Sequence, residues 1–270
     1  MNAQKAGTAL ITGASSGLGA AFARKLAARG HGLVLVARRE DRLAALAAEL
    51  AGRHPIAAEV LAADLASMDG IERVERRIAE LGALEILVNN AGFGTTGAFA
   101  EVEIAKHLEM IQVHVVASVR LSRSALPAML ARSRGAIINV SLLAAIAPQP
   151  GDVTYCAAKA YLRVFSETLH AELKGTGVCV QALLPGFTST EFHDRPDIQG
   201  FDRSRIPRAF WMSPDRVAEA SLRALERGRR VCIPGFKNRV LAALAGIGVP
   251  SLLWKVLAPR GREPLRRHRS

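Results

Sequence analysis

The stretch TGASSGLG, residues 12–19, decides the fold. It follows a short apolar run, TALIT (8–12), and leads directly into an Ala-rich helical pattern. Its three glycines allow a tight turn and let a phosphate approach the backbone closely. The first turn of the following helix supplies free N–H groups and the positive end of the helix dipole. A glycine cluster alone also fits an ordinary strand–helix turn, but its position after the first strand favours nucleotide binding.

Outward from this turn, short apolar runs alternate with helical patterns along the chain. The runs predict strands at 8–12, 32–37, 56–64, 83–90, 135–141, 178–185 and 231–235. The helical patterns cover about 17–29, 40–51, 69–81, 101–131, 152–173 and 214–227. The predicted strands are apolar on both faces, as a parallel sheet covered by helices requires. The alternation therefore predicts an α/β fold with a Rossmann-like, doubly wound parallel sheet.

The length and composition of the chain indicate how many domains to expect. The chain has 270 residues, of which half are hydrophobic and 22% are charged, so a globular protein is expected. This length fits a single α/β domain with a large core. The three cysteines are too few and too scattered for a disulfide framework or a metal site. We predict one nucleotide-binding catalytic domain over residues 1–235, with an apolar helical segment and a basic tail over 236–270.

The positive charge is concentrated at the C-terminal end. From Arg227 onward the chain has eleven Lys and Arg residues and one acidic residue, which account for ten of the twelve net positive charges. No aromatic-studded or groove-reading element accompanies these basic residues, so nucleic-acid binding is not expected. The main body is nearly neutral, and the basic character therefore belongs to the tail.

The apolar part of this tail allows two interpretations. Residues 236–257 predict two short helices, and the uncharged run Val240–Trp254 is too short and too interrupted to span a membrane. The segment is either a substrate lid or subunit contact, or an interfacial anchor whose arginines touch anionic headgroups. The N-terminal residues lack a signal-peptide pattern, so a cytoplasmic location is expected, with peripheral membrane contact under the second interpretation.

The end of the second predicted strand, VLVARRE, indicates which nucleotide binds. In dinucleotide-binding folds, an acidic residue about twenty positions past the glycines binds the ribose 2′-hydroxyl. Ala37 stands at that position and Arg38 and Arg39 follow it. A neutral residue followed by guanidinium groups suits a 2′-phosphate, so the sequence favours NADP(H) over NAD(H), with Arg38 as the main contact. Asp64, after the third strand, is either an acceptor for the adenine amino group or a helix cap.

Four motifs in chain order resemble the short-chain dehydrogenase/reductase family: TGASSGLG (12–19), NNAG (89–92), YCAAK (155–159) and PGFTST (185–190). The resemblance covers roughly residues 7–235. It implies a carbonyl reductase type of oxidoreductase that moves hydride between the nicotinamide and a carbonyl or alcohol, and it implies a homodimer or homotetramer. The expected cofactor contacts are Gly13, Ser15, Ser16, Gly17, Leu18, Gly19, Arg38, Asp64, Asn90, Ala91, Gly92, Tyr155, Lys159, Pro185, Gly186, Thr188 and Thr190.

The resemblance implies that Tyr155 is the general acid and base. A free tyrosine has a pKa near 10, which is too high for easy proton exchange at neutral pH. Lys159 lies one helical turn further on, so the two side chains share a face. Its ammonium group favours the phenolate, and the resemblance also implies that it holds the nicotinamide ribose.

Two positions depart from the family pattern. The family usually has a serine thirteen residues before the tyrosine, where this chain has Leu142, which cannot donate a hydrogen bond. The adjacent Ser141 can replace it only if the backbone bulges, because neighbours on a strand point to opposite faces. His114 stands where the family usually has an asparagine that helps to hold a proton-relaying water. It is either a relay group or a packed structural histidine.

These departures leave two functional hypotheses. Losing one hydrogen bond to a developing oxyanion typically costs about 2.7–4 kcal/mol. The first hypothesis is an NADPH-dependent reductase of an apolar small-molecule carbonyl, slow or specialised, with Tyr155, Lys159, Ser141 and His114 as its candidate catalytic residues. The second is a protein that binds NADP(H) with weak or lost catalysis and serves as a sensor or a membrane-associated scaffold.

Overall fold

A parallel sheet forms the centre of the protein. The computed structural model describes residues 6–95, 97–146, 151–191 and 206–246. Within these ranges seven parallel strands lie in the order β3-β2-β1-β4-β5-β6-β7. Their bounds are β1 Thr8–Thr12, β2 Gly32–Ala37, β3 Ala58–Ala62, β4 Leu84–Asn89, β5 Gly135–Val140, β6 Val178–Leu183 and β7 Val231–Cys232.

Helices cover both faces of this sheet. Their bounds are α1 Gly17–Ala27, α2 Glu40–Arg53, α3 Met68–Glu80, α4 Ile104–Ile111, α5 Ala117–Ala131, α6 Val153–Glu172, α7 Pro214–Glu226 and α8 Phe236–Gly246. A π-helical turn over Gln112–Val116 joins α4 to α5. Short 3₁₀ turns lie at Leu143–Ala145 and Arg208–Phe210.

Alternate residues of each strand face opposite layers of helices. Ala9 and Ile11 of β1 belong to the same buried cluster as Phe22 of α1, together with residues of α2 and α7. Leu10 lies in the other cluster, with Leu121 of α5 and residues of α3. Because strand side chains alternate, a sheet with helices on both faces must be apolar at consecutive positions. This explains the continuous apolar runs in the sequence.

The strand order reverses beside β1. The chain runs outward from β1 through β2 to β3, and then returns so that β4 pairs with the other side of β1. In open parallel sheets, ligands bind at the carboxyl ends of the strands at such a reversal. The glycine turn follows β1 and the NNAG motif follows β4, so the topology places both at the expected crevice.

The predicted α/β fold with a doubly wound parallel sheet is confirmed. The main differences are local. The pattern over 101–131 predicts one helix, but the chain turns at Ala98–Val102, begins α4 at Ile104 and changes to π geometry before α5. The strand predicted at 231–235 pairs with β6 only over its first two residues.

The beginning of the predicted C-terminal segment is packed into the main body. Asn238 of α8 is buried, and its Nδ2 donates to the Pro234 carbonyl at 2.8 Å. Among the described residues, no helix is both long enough and apolar enough to cross a membrane. The second predicted tail helix and the basic end, residues 247–270, lie outside the described residues.

Candidate active site

The glycine turn after β1 is compressed against its surroundings. Gly13 and Gly17 have φ values of 67° and 55°, a left-handed conformation that side chains rarely tolerate. A Cβ on Gly19 would overlap the Gly13 carbonyl, and a Cβ on Gly13 would lie 2.8 Å from Asn90 Nδ2. The motif therefore requires glycine both for backbone conformation and for close packing within the turn.

Thr12, which the sequence did not single out, connects this turn to the NNAG motif. The Thr12 Oγ1 accepts hydrogen bonds from the backbone N–H groups of Asn90 at 2.9 Å and Ala91 at 3.0 Å. In return, Asn90 Nδ2 donates to the Thr12 carbonyl at 2.9 Å. Asn90 therefore supports the glycine turn from β4. Thr12 could have been found only through its place at the strand end, because a lone threonine carries no distinct signal.

The start of α1 has the properties of a phosphate site. No acidic residue stands in the first turn of α1, and the Ser16 side chain does not cap the helix. Instead, the hydroxyl groups of Ser15 and Ser16 accept from Arg39 Nη2 at 3.0 and 2.9 Å. The first-turn N–H groups, the two hydroxyls and a guanidinium thus meet at one place. These groups fit a phosphorylated dinucleotide.

Arg39 rather than Arg38 lies against the glycine turn. The sequence favours Arg38 as the main contact of the 2′-phosphate, and this stays a prediction: the Arg38 side chain is 60% exposed and its Nη1 lies 4.0 Å from Asp64 Oδ2. Arg39 also donates through Nε to Ser15 Oγ at 3.2 Å. The residues are adjacent in sequence, and only the direction of the chain as it leaves β2 decides which side chain turns inward.

Asp64 takes part in the turn before α3. Its Oδ1 accepts from the Ala66 N–H at 3.0 Å, and its carbonyl accepts from Ser67. Ser67 is the residue that caps α3, since its hydroxyl accepts from the Gly70 N–H. The Asp64 carboxylate is half exposed at the sheet edge and stays available to a ligand.

Tyr155 and Lys159 lie near the start of α6, one turn apart. Lys159 Nζ is 5.7 Å from the centroid of the Tyr155 ring and donates to the Val140 carbonyl, at the end of β5, at 2.7 Å. Lys159 is buried and Tyr155 is half-buried. The helix periodicity therefore brings both groups to the carboxyl edge of the sheet, as the sequence predicted.

Burial sets the protonation of this pair. It lowers the pKa of Lys159 to about 7, because the ammonium form loses hydration. It raises the pKa of the Tyr155 phenol above its ordinary value, and the charges of Asp152 and Cys156 act in the same direction. Without a ligand, the phenol is therefore protonated at neutral pH, which is the form that can donate a proton.

The hydroxyl of Ser141 has a hydrogen-bond partner within the protein. Its Oγ donates to the Lys159 carbonyl at 2.6 Å, and the side chain is buried. Backbone hydrogen bonds fix the same stretch, since the Ser141 N–H donates to the Leu183 carbonyl at 2.8 Å. Ser141 therefore ties β5 to α6. The next residue, Leu142, has no hydrogen-bond donor in its side chain.

His114 packs directly against Tyr155. The two rings meet edge to face with their centroids 5.6 Å apart. The His114 Nε2 lies 2.8 Å from the Phe93 carbonyl oxygen and 3.1 Å from the Phe93 nitrogen, so its tautomer decides whether it donates or accepts. Burial, with the charge of Lys159, lowers its pKa well below the ordinary value. The ring is therefore neutral.

The π-helical turn and Gly92 make room for this imidazole. His114 lies within the π turn, and such turns are frequent at functional sites. A Cβ on Gly92 would overlap the His114 ring. The Nδ1 of His114 is buried and has no hydrogen-bond partner among the described residues. The sequence did not indicate the π turn, because residues with helical periodicity fit either helix type.

The motif after β6 closes the other side of the site. The Pro185 carbonyl accepts from the Leu143 N–H at 2.9 Å. Thr188 donates within its own loop to the Gly186 carbonyl at 3.0 Å and pairs in parallel with Met212. Thr190 packs over Gly17, where an added Cβ would be 3.1 Å away. This segment thus runs from the Tyr155 side of the site to the glycine turn.

The arrangement defines a class of protein. The family model for short chain dehydrogenase matches residues 7–197. The chain therefore belongs to the short-chain dehydrogenase/reductase family, as the four motifs predicted.

Individual relatives agree with this assignment. The chain is 35% identical to a short-chain dehydrogenase from Sphingobium yanoikuyae in complex with NADPH, with a TM-score of 0.81 over 96% of this chain and 99% of that one. It is 30% identical to a bulky-bulky ketone specific alcohol dehydrogenase from Comamonas testosteroni, with a TM-score of 0.77 over 99% and 100%. It is 29% identical to the very-long-chain 3-oxoacyl-CoA reductase of Bos taurus, over 93% of this chain and 78% of the relative.

Proposed function

We propose that this chain is an NADPH-dependent oxidoreductase that interconverts the carbonyl and alcohol forms of a bulky, apolar substrate. The observation that carries the proposal is the Tyr155–Lys159 pair at the carboxyl edge of the sheet, with Lys159 buried beside the half-buried tyrosine. The glycine turn and Arg39 at the same edge support a phosphorylated dinucleotide, and the Sphingobium neighbour is a complex with NADPH. The Comamonas neighbour and the bovine relative support a large ketone as substrate.

The proposed chemistry divides between the coenzyme and the protein. When bound, NADPH supplies the hydride that reaches the carbonyl carbon. Tyr155 donates its proton to the carbonyl oxygen, because its raised pKa keeps the phenol protonated at neutral pH. Lys159, with a pKa of about 7, is partly charged at that pH and stabilises the phenolate that remains.

The substrate oxygen receives less help than in the family pattern. Leu142 offers no donor, and the Ser141 hydroxyl is engaged by the Lys159 carbonyl. One missing donor of this kind typically lowers the rate about 10²- to 10³-fold. A substrate that carries its own hydroxyl or amide next to the ketone would offset part of this loss. The proposal therefore favours ketones with an adjacent polar donor over simple ketones.

Leu142, which has no donor, and Ser141, whose hydroxyl is engaged, also favour a second candidate function. A protein that binds NADP(H) without efficient turnover, as a sensor or scaffold, has no need of the oxyanion donor that Leu142 removes. For such a protein, Tyr155 serves only packing. The two candidate functions differ in whether activity requires the hydroxyl group of Tyr155.

The experiment follows NADPH oxidation by purified protein over a panel of bulky ketones, diketones and 3-oxoacyl thioesters. Tyr155→Phe is compared with Tyr161→Phe, which removes the chain's other tyrosine hydroxyl from the exposed face of the same helix. We expect Tyr155→Phe to abolish turnover and Tyr161→Phe to leave it unchanged, with NADPH binding kept by both. NADPH binding without turnover on any panel member would support the second candidate.

A further inference from the structure

The carboxylate of Glu191 contacts two arginines beside the glycine turn. Glu191 follows the PGFTST motif, and its two oxygens accept from Arg42 Nη1 at 3.1 and 2.8 Å. The Arg39 Nη1 reaches the same carboxylate at 3.5 Å. Arg39 is the residue that also binds Ser15 and Ser16 in the glycine turn. Glu191 therefore bridges two guanidinium groups at the place where coenzyme phosphates are expected.

The backbone holds Glu191 in this position. Ser189 N–H donates to the Met212 carbonyl at 2.9 Å, and Met212 N–H donates to the Phe187 carbonyl at 2.9 Å. Thr190 packs over Gly17. The backbone is thus held immediately before Glu191, and this places its exposed side chain beside Arg39 and Arg42.

The charges favour replacement of the carboxylate by a phosphate. Arg39 and Arg42 carry two positive charges, and Glu191 neutralises one of them. A phosphate monoester carries about −1.5 to −2 charges at neutral pH and has three acceptor oxygens, which suits two guanidinium groups better than one carboxylate does. The arginines lower the pKa of the Glu191 carboxyl, so it is ionised at neutral pH.

We propose that Glu191 competes with the coenzyme's 2′-phosphate for Arg39 and Arg42, and so sets how strongly the site prefers a 2′-phosphorylated coenzyme. This inference rests on the NADP(H) specificity proposed above. Arg42 becomes a second specificity-determining residue beside Arg39. Neither Arg42 nor Glu191 was indicated by the sequence, since one is an exposed helix residue and the other lies about 150 positions away.

The size of the effect follows from the exposure of the three side chains. Arg39, Arg42 and Glu191 have 38%, 45% and 58% of their side-chain surface exposed. Ion pairs of such exposure change an equilibrium by only about two- to five-fold. The contact is therefore weak enough for a phosphate to displace and strong enough to measure.

The test uses adenosine fragments that lack the nicotinamide, so it does not depend on turnover. Binding of 2′,5′-ADP and of 5′-AMP is measured by calorimetry for wild type and Glu191→Gln. We expect Glu191→Gln to bind 2′,5′-ADP about two- to five-fold more tightly and to bind 5′-AMP as wild type does. Arg42→Gln should weaken 2′,5′-ADP binding, and the gain from Glu191→Gln should shrink in that background.

Glu49→Gln is the matched control. Glu49 is also a surface glutamate that bridges two arginines, Arg24 and Arg53, but it lies in the middle of α2. Its substitution should not change either affinity. Equal binding of 2′,5′-ADP by wild type and Glu191→Gln would overturn the inference while the NADP(H) proposal stands. A wild type that binds 5′-AMP as well as 2′,5′-ADP would instead overturn the coenzyme proposal itself.

Discussion

The Ser141 hydroxyl donates to the Lys159 carbonyl oxygen at 2.6 Å, while the Lys159 ammonium donates to the Val140 carbonyl at 2.7 Å. These two bonds cross between the end of β5 and the first turns of α6. They hold the lysine by its backbone and by its side chain. The Ser141 hydroxyl thus has a structural partner in the backbone of α6.

Ser141→Ala tests this structural role. The substitution removes one buried hydrogen bond, while the Lys159 carbonyl keeps its acceptor role within α6. Losing such a bond typically costs about 0.5–1.5 kcal/mol. We expect urea unfolding to show a loss of that size, while turnover falls by less than about tenfold because Tyr155 and Lys159 remain. If stability were unchanged and turnover fell about 10²-fold or more, Ser141 would instead be the substrate's hydrogen-bond donor.

Leu142→Ser tests the proposal that the lack of a hydrogen-bond donor at this position limits the rate. A hydroxyl at this position would supply a hydrogen bond to the developing oxyanion, so we expect catalytic efficiency on simple ketones to rise by up to about 10²- to 10³-fold. Leu142→Ala is the matched control, because it removes the leucine without adding a donor. Equal changes in the two variants would mean that pocket size and not the hydroxyl controls the rate.

The fold was predictable because its signal is repeated in every strand. Each central strand is apolar at consecutive positions, and each is followed by a helical pattern, so many residues point to the same architecture. The Tyr155–Lys159 pair was predictable for a similar reason, since their spacing alone places them on one helix face. The observed contacts of Lys159 agree with that prediction.

The rest of the site depends on contacts between residues far apart in the chain. Arg39 and not Arg38 turns toward the glycine loop, and Glu191 meets Arg42 across the sheet edge. The π turn contains His114 and the His114 ring lies against Gly92, while the local sequence fits either helix type. Sequence spacing cannot show such features, because they depend on side-chain direction at the meeting point of separate elements.

Lys159→Met should remove a pH dependence of stability. Burial lowers the pKa of Lys159 from 10.5 to about 7, so between these values the unfolded chain binds a proton that the folded protein does not. The wild type should therefore gain stability as pH rises from about 7 toward 10, and its lysine should be most destabilising below pH 7. Urea unfolding of both proteins between about pH 6.5 and 9.5 measures the difference.

Lys174→Met provides the comparison, since Lys174 lies on the exposed surface beyond the end of α6. We expect the stability difference between Lys159→Met and wild type to shrink as pH rises, and that between Lys174→Met and wild type to stay constant. A constant difference for Lys159→Met as well would mean that the buried lysine keeps its ordinary pKa in the folded protein.

Gly92 and His114 should be energetically coupled. A Cβ at position 92 would overlap the His114 ring, so Gly92→Ala must displace the imidazole or the NNAG backbone. Overpacking of this kind typically costs about 1–3 kcal/mol. His114→Ala removes the ring and leaves space for the new methyl group. The double variant should therefore be more stable than the sum of the two single losses predicts, with a coupling of about 0.5–3 kcal/mol in urea unfolding.

The ring also packs on Tyr155, so Gly92→Ala should lower turnover as well. Additive losses of stability would show that Gly92 is required for its backbone alone, and that the histidine is free to move aside.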